Sequence, residues 1–145
     1  MVNKSKSQEL NPDKTNRREQ IVEAALRRFS HFGIAKTALT EVADDLALSK
    51  QSLSYYFPDK QSLVNAVVEK LSIEYGNQLR KEMKAAISIE LALLKLTQVK
   101  ASFFENYFMM TTHSEHLEIA SKQSCNNWRK FLTDDESGLL TILFE

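Results

Sequence analysis

The chain has 145 residues, a formal net charge of zero, two prolines and three glycines. Few helix breakers, together with much Leu, Ala, Lys and Glu, favour an all-helical protein. A neutral chain differs from proteins that coat nucleic acid by charge alone, because those depend on a strongly basic surface and counterion release. The single cysteine cannot form an internal disulfide, and the chain has neither a signal peptide nor a long apolar run. The expected compartment is therefore the reducing cytoplasm.

The N-terminal segment 1–15 is polar, and we expect it to be a disordered arm. Residues 16–32 predict an amphipathic helix, because apolar side chains recur at helical intervals and Gly33 supplies a stop. Arg17 and Arg18, near the start of this helix, are well placed to meet a phosphate group.

Residues 37–60 contain the most informative pattern of the chain. Their apolar positions predict two short helices, 38–46 and 50–56, that meet at a steep angle. Thr37 and Ser49 are the expected N-caps, because a hydroxyl can accept a hydrogen bond from an otherwise unpaired amide. This spacing is typical of a helix-turn-helix, whose second helix enters the major groove of DNA. An ordinary helical hairpin with a solvated polar face is the alternative.

The second short helix is expected to present polar groups on its outer face. Lys50, Gln51 and Ser52 suit base edges and phosphates better than they suit a core. Asp59 can cap the long helix that follows. Lys60 would then lie at a helix N-terminus, where free amides and the helix dipole favour an anion, and is a candidate phosphate anchor.

Residues 61–145 predict a helical body. The expected helices span 60–83, 87–110, about 115–132, and a segment that starts near Ser137. The apolar stripe of the first of these helices comprises Leu63, Val67, Leu71 and Tyr75. The apolar positions of the second include Ile87, Leu91, Leu94 and Phe108.

Aromatic and methionine side chains are concentrated at residues 103–110. Walls of this kind suit a pocket for an apolar effector, although an ordinary hydrophobic core is the alternative for each residue. His113 and His116 lack a fixed third ligand, so surface histidines explain them better than a metal site does. We expect no metal and no other cofactor. The candidate effector-binding residues are Phe103, Phe104, Tyr107, Phe108 and Trp128.

The run from Arg17 to about Lys70 resembles the DNA-binding domain of the tetracycline-repressor (TetR/AcrR) family. The matching segments are IVEAALRRF at 21–29, Gly33, Thr37, VA at 42–43, LSK at 48–50, Leu53, YYFPDK at 55–60 and Leu63. The resemblance implies an all-α fold with a three-helix helix-turn-helix head at residues 16–60 and an effector-binding and dimerisation body at 61–145. Family members are usually longer, so the body is expected to be C-terminally truncated.

The resemblance also implies which side chains meet DNA, with bases read by Lys50, Gln51 and Ser52. The full set of expected DNA-binding residues is Thr37, Ser49, Lys50, Gln51, Ser52, Tyr55, Tyr56 and Lys60.

Three residues depart from the family pattern. Ala47 stands in the turn where glycine is common, Gln51 stands where glycine is frequent, and Ser54 replaces a usual tyrosine. A non-glycine residue at the turn is tolerable but less comfortable. The operator sequence therefore does not carry over from the family.

These features together predict a DNA-binding one-component transcriptional regulator, a repressor released from a pseudo-palindromic operator by a small, largely apolar effector. The expected partners are double-stranded DNA, the effector and a second copy in a homodimer, and no membrane. A helical protein-interaction module with a vestigial head is the alternative, motivated by Ala47 and Ser54. We do not expect the chain to be an enzyme, because no nucleophile–base pair, metal cluster or phosphate-cradling glycine loop is visible in the sequence.

Overall fold

The computed structural model describes residues 12–111, which fold into five α-helices. The predicted all-α fold is confirmed. Residues 1–11 of the predicted arm and the predicted helices at about 115–132 and from Ser137 lie outside the described residues. The helices are α1 (Pro12–Phe32), α2 (Leu39–Asp45), α3 (Lys50–Tyr56), α4 (Lys60–Lys84) and α5 (Ile89–Thr111).

The first helix starts earlier than its sequence suggested. α1 begins at Pro12, four residues before the predicted start, so residues 12–15 belong to the helix and not to the arm. Proline suits a first helical turn because it has no N–H to leave unpaired and its φ is already helical. The predicted stop is confirmed, since Gly33 has a φ of +83° and its N–H donates to the carbonyl of Phe29 at 2.9 Å.

The core lies between α1, α4 and α5. The predicted stripe of α4 is confirmed, because all four of its residues are buried: Leu63, Val67, Leu71 and Tyr75. α1 contributes Ile21, Ala25 and Phe29 to the same apolar cluster. A spacing of four residues keeps these side chains on one face of each helix.

An ion network joins α1 to α4. The ammonium of Lys70 lies 3.3 Å from a carboxylate oxygen of Glu23, 3.4 Å from one of Glu74 and 3.7 Å from one of Glu19. Two of these carboxylates belong to α1 and one to α4. The network therefore adds ion pairs to the apolar contact between α1 and α4.

The side chains of α5 that face the core differ from those that the sequence predicted. Leu94 and Phe108 are 52% and 46% exposed, and Ile87 precedes the helix and is 94% exposed. Apolar residues occur on all sides of α5, so the periodic contrast that orients a helix is weak. The side chains of α5 that are buried are Ala92, Val99, Phe103 and Met110.

An arginine clamp holds α2 on α1. Arg28 donates to both carboxylate oxygens of Asp45, at 2.5 and 2.7 Å, and lies 3.5 Å from Glu41. A bidentate pair fixes direction as well as distance. The hydrogen bonds from Arg28 hold the pKa of Asp45 below its ordinary value of 3.8. The clamp therefore sets the position of α2 by charge and geometry together.

The Arg28–Asp45 pair is expected to make the stability of the fold depend on pH. Because the folded-state pKa of Asp45 is lowered, the pair stabilises the fold above the unfolded pKa of about 3.9, and this contribution is lost as the pH falls through the folded value. Thermal unfolding of the wild type, Arg28→Met, Asp45→Asn and the double variant measures the coupling between the two side chains. We expect coupling at about pH 7 that becomes weaker as the pH falls below the unfolded pKa of Asp45. A coupling that stays the same over this fall in pH would contradict the role of Asp45.

Candidate nucleic-acid interface

The N-terminus of α2 differs from the prediction. Its N-cap is Ala38, whose N–H donates to the carboxylate of Glu41 at 2.6 Å. Thr37 is buried and its hydroxyl donates to the carbonyl of Gly33 at 3.0 Å. The N-cap prediction for Thr37 is therefore wrong, because α2 begins at Leu39, one residue later than predicted, and Ala38 takes the N-cap position. With its side chain inside the protein, Thr37 also leaves the set of candidate phosphate contacts.

A tight turn joins α2 to α3. The N–H of Leu48 donates to the carbonyl of Ala43 at 2.9 Å, and the N–H of Ala47 donates to that of Asp44 at 3.1 Å. These are the two hydrogen bonds of a Schellman motif, which places one residue in the left-handed region. Ala47 occupies it with a φ of 51°, so the prediction that a non-glycine residue accepts this conformation is confirmed.

α3 is anchored on one side and exposed on the other. Ser49 is its N-cap, as predicted, and accepts a hydrogen bond from the N–H of Ser52 at 3.1 Å. The hydroxyls of the two serines lie 2.9 Å apart, so each already has a partner. Leu53 is buried, whereas Lys50 and Gln51 are exposed. The outward groups of the first turn are thus a lysine and a carboxamide on a fixed helix.

A cleft of about 370 Å³ lies between α3 and the start of α1. Tyr55 is 67% exposed on its rim, and the ring of half-buried Tyr56 meets it edge-on at 5.2 Å between centroids. Arg17 joins these residues from α1, with its guanidinium donating to the side-chain carbonyl of Gln20 at 3.0 Å. The cleft therefore adds a cation of α1 to the polar surface of α3. Its lining residues are Arg17, Leu48, Gln51, Ser52, Tyr55 and Tyr56.

The two adjacent arginines of α1 have different surroundings. The guanidinium carbon of Arg18 lies 4.9 Å from the centroid of the Phe57 ring, and this ring is buried. A guanidinium over an aromatic face is held by the ring quadrupole. Arg17 thus borders α3 while Arg18 covers the residue that ends it. Because the two arginines are adjacent, the sequence predicted the same role for both and could not distinguish them.

Lys60 lies at the start of α4, as predicted. Asp59 caps this helix by accepting from the N–H of Ser62 at 2.6 Å. The side chain of Lys60 is partly buried and its ammonium donates to the carbonyl of Ala35 at 3.4 Å. Burial lowers the pKa of Lys60 below its ordinary value, and the charge of Glu41 opposes this effect. Lys60 therefore holds the loop between α1 and α2 in addition to its candidate role with phosphate.

The candidate effector residues face two directions. Phe103 is buried, with its ring 5.1 Å from that of Tyr75 and 4.6 Å from that of Tyr107. Phe104 and Phe108 are about half exposed and pair with each other at 5.5 Å. Phe103 and Tyr107 thus face α4, whereas Phe104 and Phe108 lie on a more exposed side of α5, and the effector-binding role of these residues stays a prediction. Trp128, the remaining candidate, lies outside the described residues.

Among residues 12–111, no helix is long and apolar enough to cross a membrane. The same residues contain no group of three His, Cys, Asp or Glu side chains placed to hold a metal ion. His113 and His116 are outside this range.

A short helix with an exposed polar face, set by a tight turn against a second helix and packed on a third, defines a helix-turn-helix protein. The sequence model described as "Bacterial regulatory proteins, tetR family" matches residues 21–67. This segment of the chain is therefore similar to the tetR family of bacterial regulatory proteins.

Curated relatives and a solved structure show the same similarity. The HTH-type transcriptional regulator RutR of Escherichia coli (strain K12) is 40% identical over 55 residues, which are 38% of this chain and 26% of RutR. The HTH-type transcriptional regulator BetI of Yersinia pestis (strain Pestoides F) is 24% identical over 90 residues, which are 62% of this chain and 45% of BetI. The crystal structure of a transcriptional regulator from Cytophaga hutchinsonii ATCC 33406 superimposes with a TM-score of 0.71 and 26% identity over 87% of this chain and 66% of that chain. The matches thus span about a quarter of RutR and less than half of BetI.

Proposed function

We propose that this chain is a one-component transcriptional regulator that binds double-stranded DNA through α3. The observation that carries the proposal is the division of α3 into two sides. Lys50 and Gln51 are exposed, and Leu53 is buried in the core. A helix held in this way on one side can enter a major groove with the other. The match to the tetR family supports the same function.

The exposed groups divide by chemistry into base contacts and phosphate contacts. The carboxamide of Gln51 can pair bidentately with adenine, and Lys50 can donate to guanine. The Arg17 guanidinium and the Tyr55 hydroxyl, on the rim of the cleft, suit phosphate oxygens. Lys60 joins them at the start of α4. Three further candidates lie beside this surface, and part of each side chain already contacts another residue: Ser49, Ser52 and Tyr56.

A homodimer would present two copies of α3 to the DNA. Two copies of α3 in successive major grooves would lie about 34–36 Å apart on a pseudo-palindromic operator. Residues 1–60 carry ten Lys and Arg against eight Asp and Glu. With so small an excess of positive charge, affinity would come from the local surface around α3 in both copies and not from overall charge.

We further propose that the body, residues 61–145, binds a small, largely apolar effector, and that the liganded protein leaves its operator as a repressor does. The rings of Tyr75, Phe103 and Tyr107 between α4 and α5 support an apolar ligand, because aromatic rings offer large apolar area with defined geometry. Insertion among them would change the angle between α4 and α5. α4 continues from this cluster to Lys60 and the head.

DNA binding is tested with the duplex upstream of the gene, labelled for fluorescence anisotropy, against a scrambled duplex of the same composition. We expect selective binding that weakens as salt rises, because phosphate contacts release counterions. Equal binding to both duplexes at every salt concentration would contradict the proposed function.

Two substitutions at the interface are expected to have different effects on DNA binding. Gln51→Ala should cost about 1–3 kcal/mol on the preferred duplex and relax the preference at one base pair. Lys60→Ala should weaken both duplexes alike and reduce the salt slope by about 1. Lys84→Ala is the matched control, since Lys84 ends the same 25-residue helix, about 37 Å from its start. If both interface variants lose the same affinity on every duplex, α3 does not recognise the base sequence.

The second candidate function, a helical interaction module with a vestigial head, is favoured by the apolar side chains that α5 exposes. Contiguous exposed apolar surface often marks a contact with another protein. The same titration separates the two functions, because a module of this kind would bind both duplexes equally. The exposed apolar side chains of α5 are Ile89, Leu93, Leu94, Phe104, Phe108 and Met109.

A further inference from the structure

A groove of about 420 Å³ lies between α1 and α4, and we call it the α1–α4 groove. Arg18 lines this groove, whereas Arg17 borders the cleft beside α3, so the two sites are separate. The floor of the groove is apolar, with Val22 and Ala66 buried and Ile73 53% exposed. An isoleucine with about half of its surface in water gains free energy when another group covers it.

The rim of the groove carries more negative than positive charge. Three carboxylates line the groove against two cations: Glu19, Glu69, Glu74, Arg18 and Lys70. The ammonium of Lys70 is also shared with a fourth carboxylate, that of Glu23, at 3.3 Å. Glu69 and Glu74 are exposed. An apolar floor with an acidic rim fits a segment that combines aliphatic side chains with lysines.

Residues 1–11, which lie outside the described residues, have this chemistry. Lys4 and Lys6 stand in this segment against a single acidic residue, Glu9. Val2 and Leu10 supply aliphatic side chains on either side of the two lysines. The segment is therefore complementary to the groove in charge and in hydrophobicity.

The segment is also close enough and long enough to enter the groove. α1 starts at Pro12, and Thr15 in its first turn already lines the groove. Val22 lies about 10 Å beyond Thr15 along the helix axis. A segment as long as residues 1–11 spans up to about 36 Å when extended, so it can reverse before Pro12 and follow the whole groove. Because the segment is tethered beside the groove, its effective concentration is high and weak contacts are sufficient.

We propose that the α1–α4 groove is the docking site of residues 1–11 of the same chain. An aliphatic side chain of the segment covers Ile73, and the ammonium groups of Lys4 and Lys6 pair with the acidic rim. In the docked state these two cations meet protein carboxylates and not DNA phosphates. The segment then also lies beside Arg18, which covers the ring of Phe57 at the end of α3.

Photo-crosslinking of the full 145-residue chain, without DNA, tests the docking. The photoreactive residue p-benzoylphenylalanine replaces Ser5, between the two lysines, and mass spectrometry locates the crosslinks. We expect crosslinks to residues 15–22 and 66–74 of the same chain. Mixing isotope-labelled and unlabelled chains separates these from crosslinks between copies. Crosslinks that form mainly between copies, or that are spread evenly over the surface, would overturn the proposal.

Two exposed isoleucines provide a matched pair of variants for the same experiment. Ile73→Lys places an ammonium group on the floor of the groove, and Ile89→Lys makes the same change on α5, outside the groove. The two side chains are 53% and 43% exposed, so both variants should fold. Ile73→Lys should lower the yield of groove crosslinks by about 4- to 15-fold, because the apolar contact with about half of an isoleucine is lost. Equal yields in the two variants would show that the groove is not the docking site.

Charge reversal tests the contribution of the acidic rim. Replacing both lysines, with Lys4→Glu and Lys6→Glu, should lower the yield by about 1.5- to 5-fold for each exposed ion pair that is lost. Glu69→Lys in that variant should restore part of the yield, because opposite charges face each other again. A loss without recovery, or no loss at all, would overturn the assignment of the lysines to the rim.

Discussion

Phe57→Ala is expected to lower the free energy of unfolding by about 3–5 kcal/mol. Phe57 is 1% exposed, and it is the residue at which α3 ends, with its N–H donating to the carbonyl of Leu53 at 2.9 Å. Truncation would leave a cavity beneath α3 and remove the ring on which Arg18 rests. Denaturant titration followed by circular dichroism measures the change.

Phe32→Ala serves as the control for this substitution. Phe32 is 50% exposed at the end of α1, so the same atoms are removed from a surface position. We expect a loss of under about 1 kcal/mol. Equal losses for the two variants would mean that the ring of Phe57 is not part of the core. Because α3 depends on this ring, the Phe57 variant should also lose DNA binding under conditions in which Phe32→Ala retains it.

Gly33→Ala is expected to destabilise the chain by about 1–3 kcal/mol from backbone conformation alone. The φ of +83° is unfavourable for any residue with a Cβ, and that atom would lie 3.0 Å from the carbonyl oxygen of Met109. Neither group is the flexible end of a side chain, so relief requires α1 and α5 to separate. The unfolding midpoint in denaturant reports the loss.

Ala47→Gly is expected to change stability in the opposite direction from Gly33→Ala. Ala47 has a φ of 51° in the turn between α2 and α3, so glycine would relieve about 1–2 kcal/mol of backbone strain and return about 0.4–1 kcal/mol to the entropy of the unfolded chain. We expect a net gain of about 0–1.6 kcal/mol. A loss of stability in Ala47→Gly, or a gain in Gly33→Ala, would contradict the conformational argument at that position.

Local signals predicted much of the head. The bounds of α2 and α3 agree with the predicted 38–46 and 50–56 to within one residue at each end, because Ser49 and Pro58 act on their immediate neighbours. The N-cap prediction for Thr37 was wrong because α2 begins one residue later than predicted, and the path of the chain after Gly33 buries the Thr37 side chain.

Tertiary structure decided what local signals could not. Arg17 and Arg18 are adjacent and chemically identical, so their separation into a cleft residue and a partner of Phe57 depends on how α1 packs on α3. The faces of α5 were assigned poorly for a related reason: Leu94 and Phe108 are as apolar as the buried Val99. Hydrophobicity orients a helix only when some of its faces are polar.

The division of α3 into an anchored and an exposed side has a consequence for how such a protein diverges. Lys50 and Gln51 are exposed and stand apart from the buried contacts of Leu53, so substitutions at these two positions should change stability by no more than about 0.5 kcal/mol. If α3 reads DNA as proposed, recognition can then vary among descendants while the scaffold stays constant. A gene duplicate could acquire a new target by a few substitutions at the surface of one short helix, without passing through a misfolded intermediate.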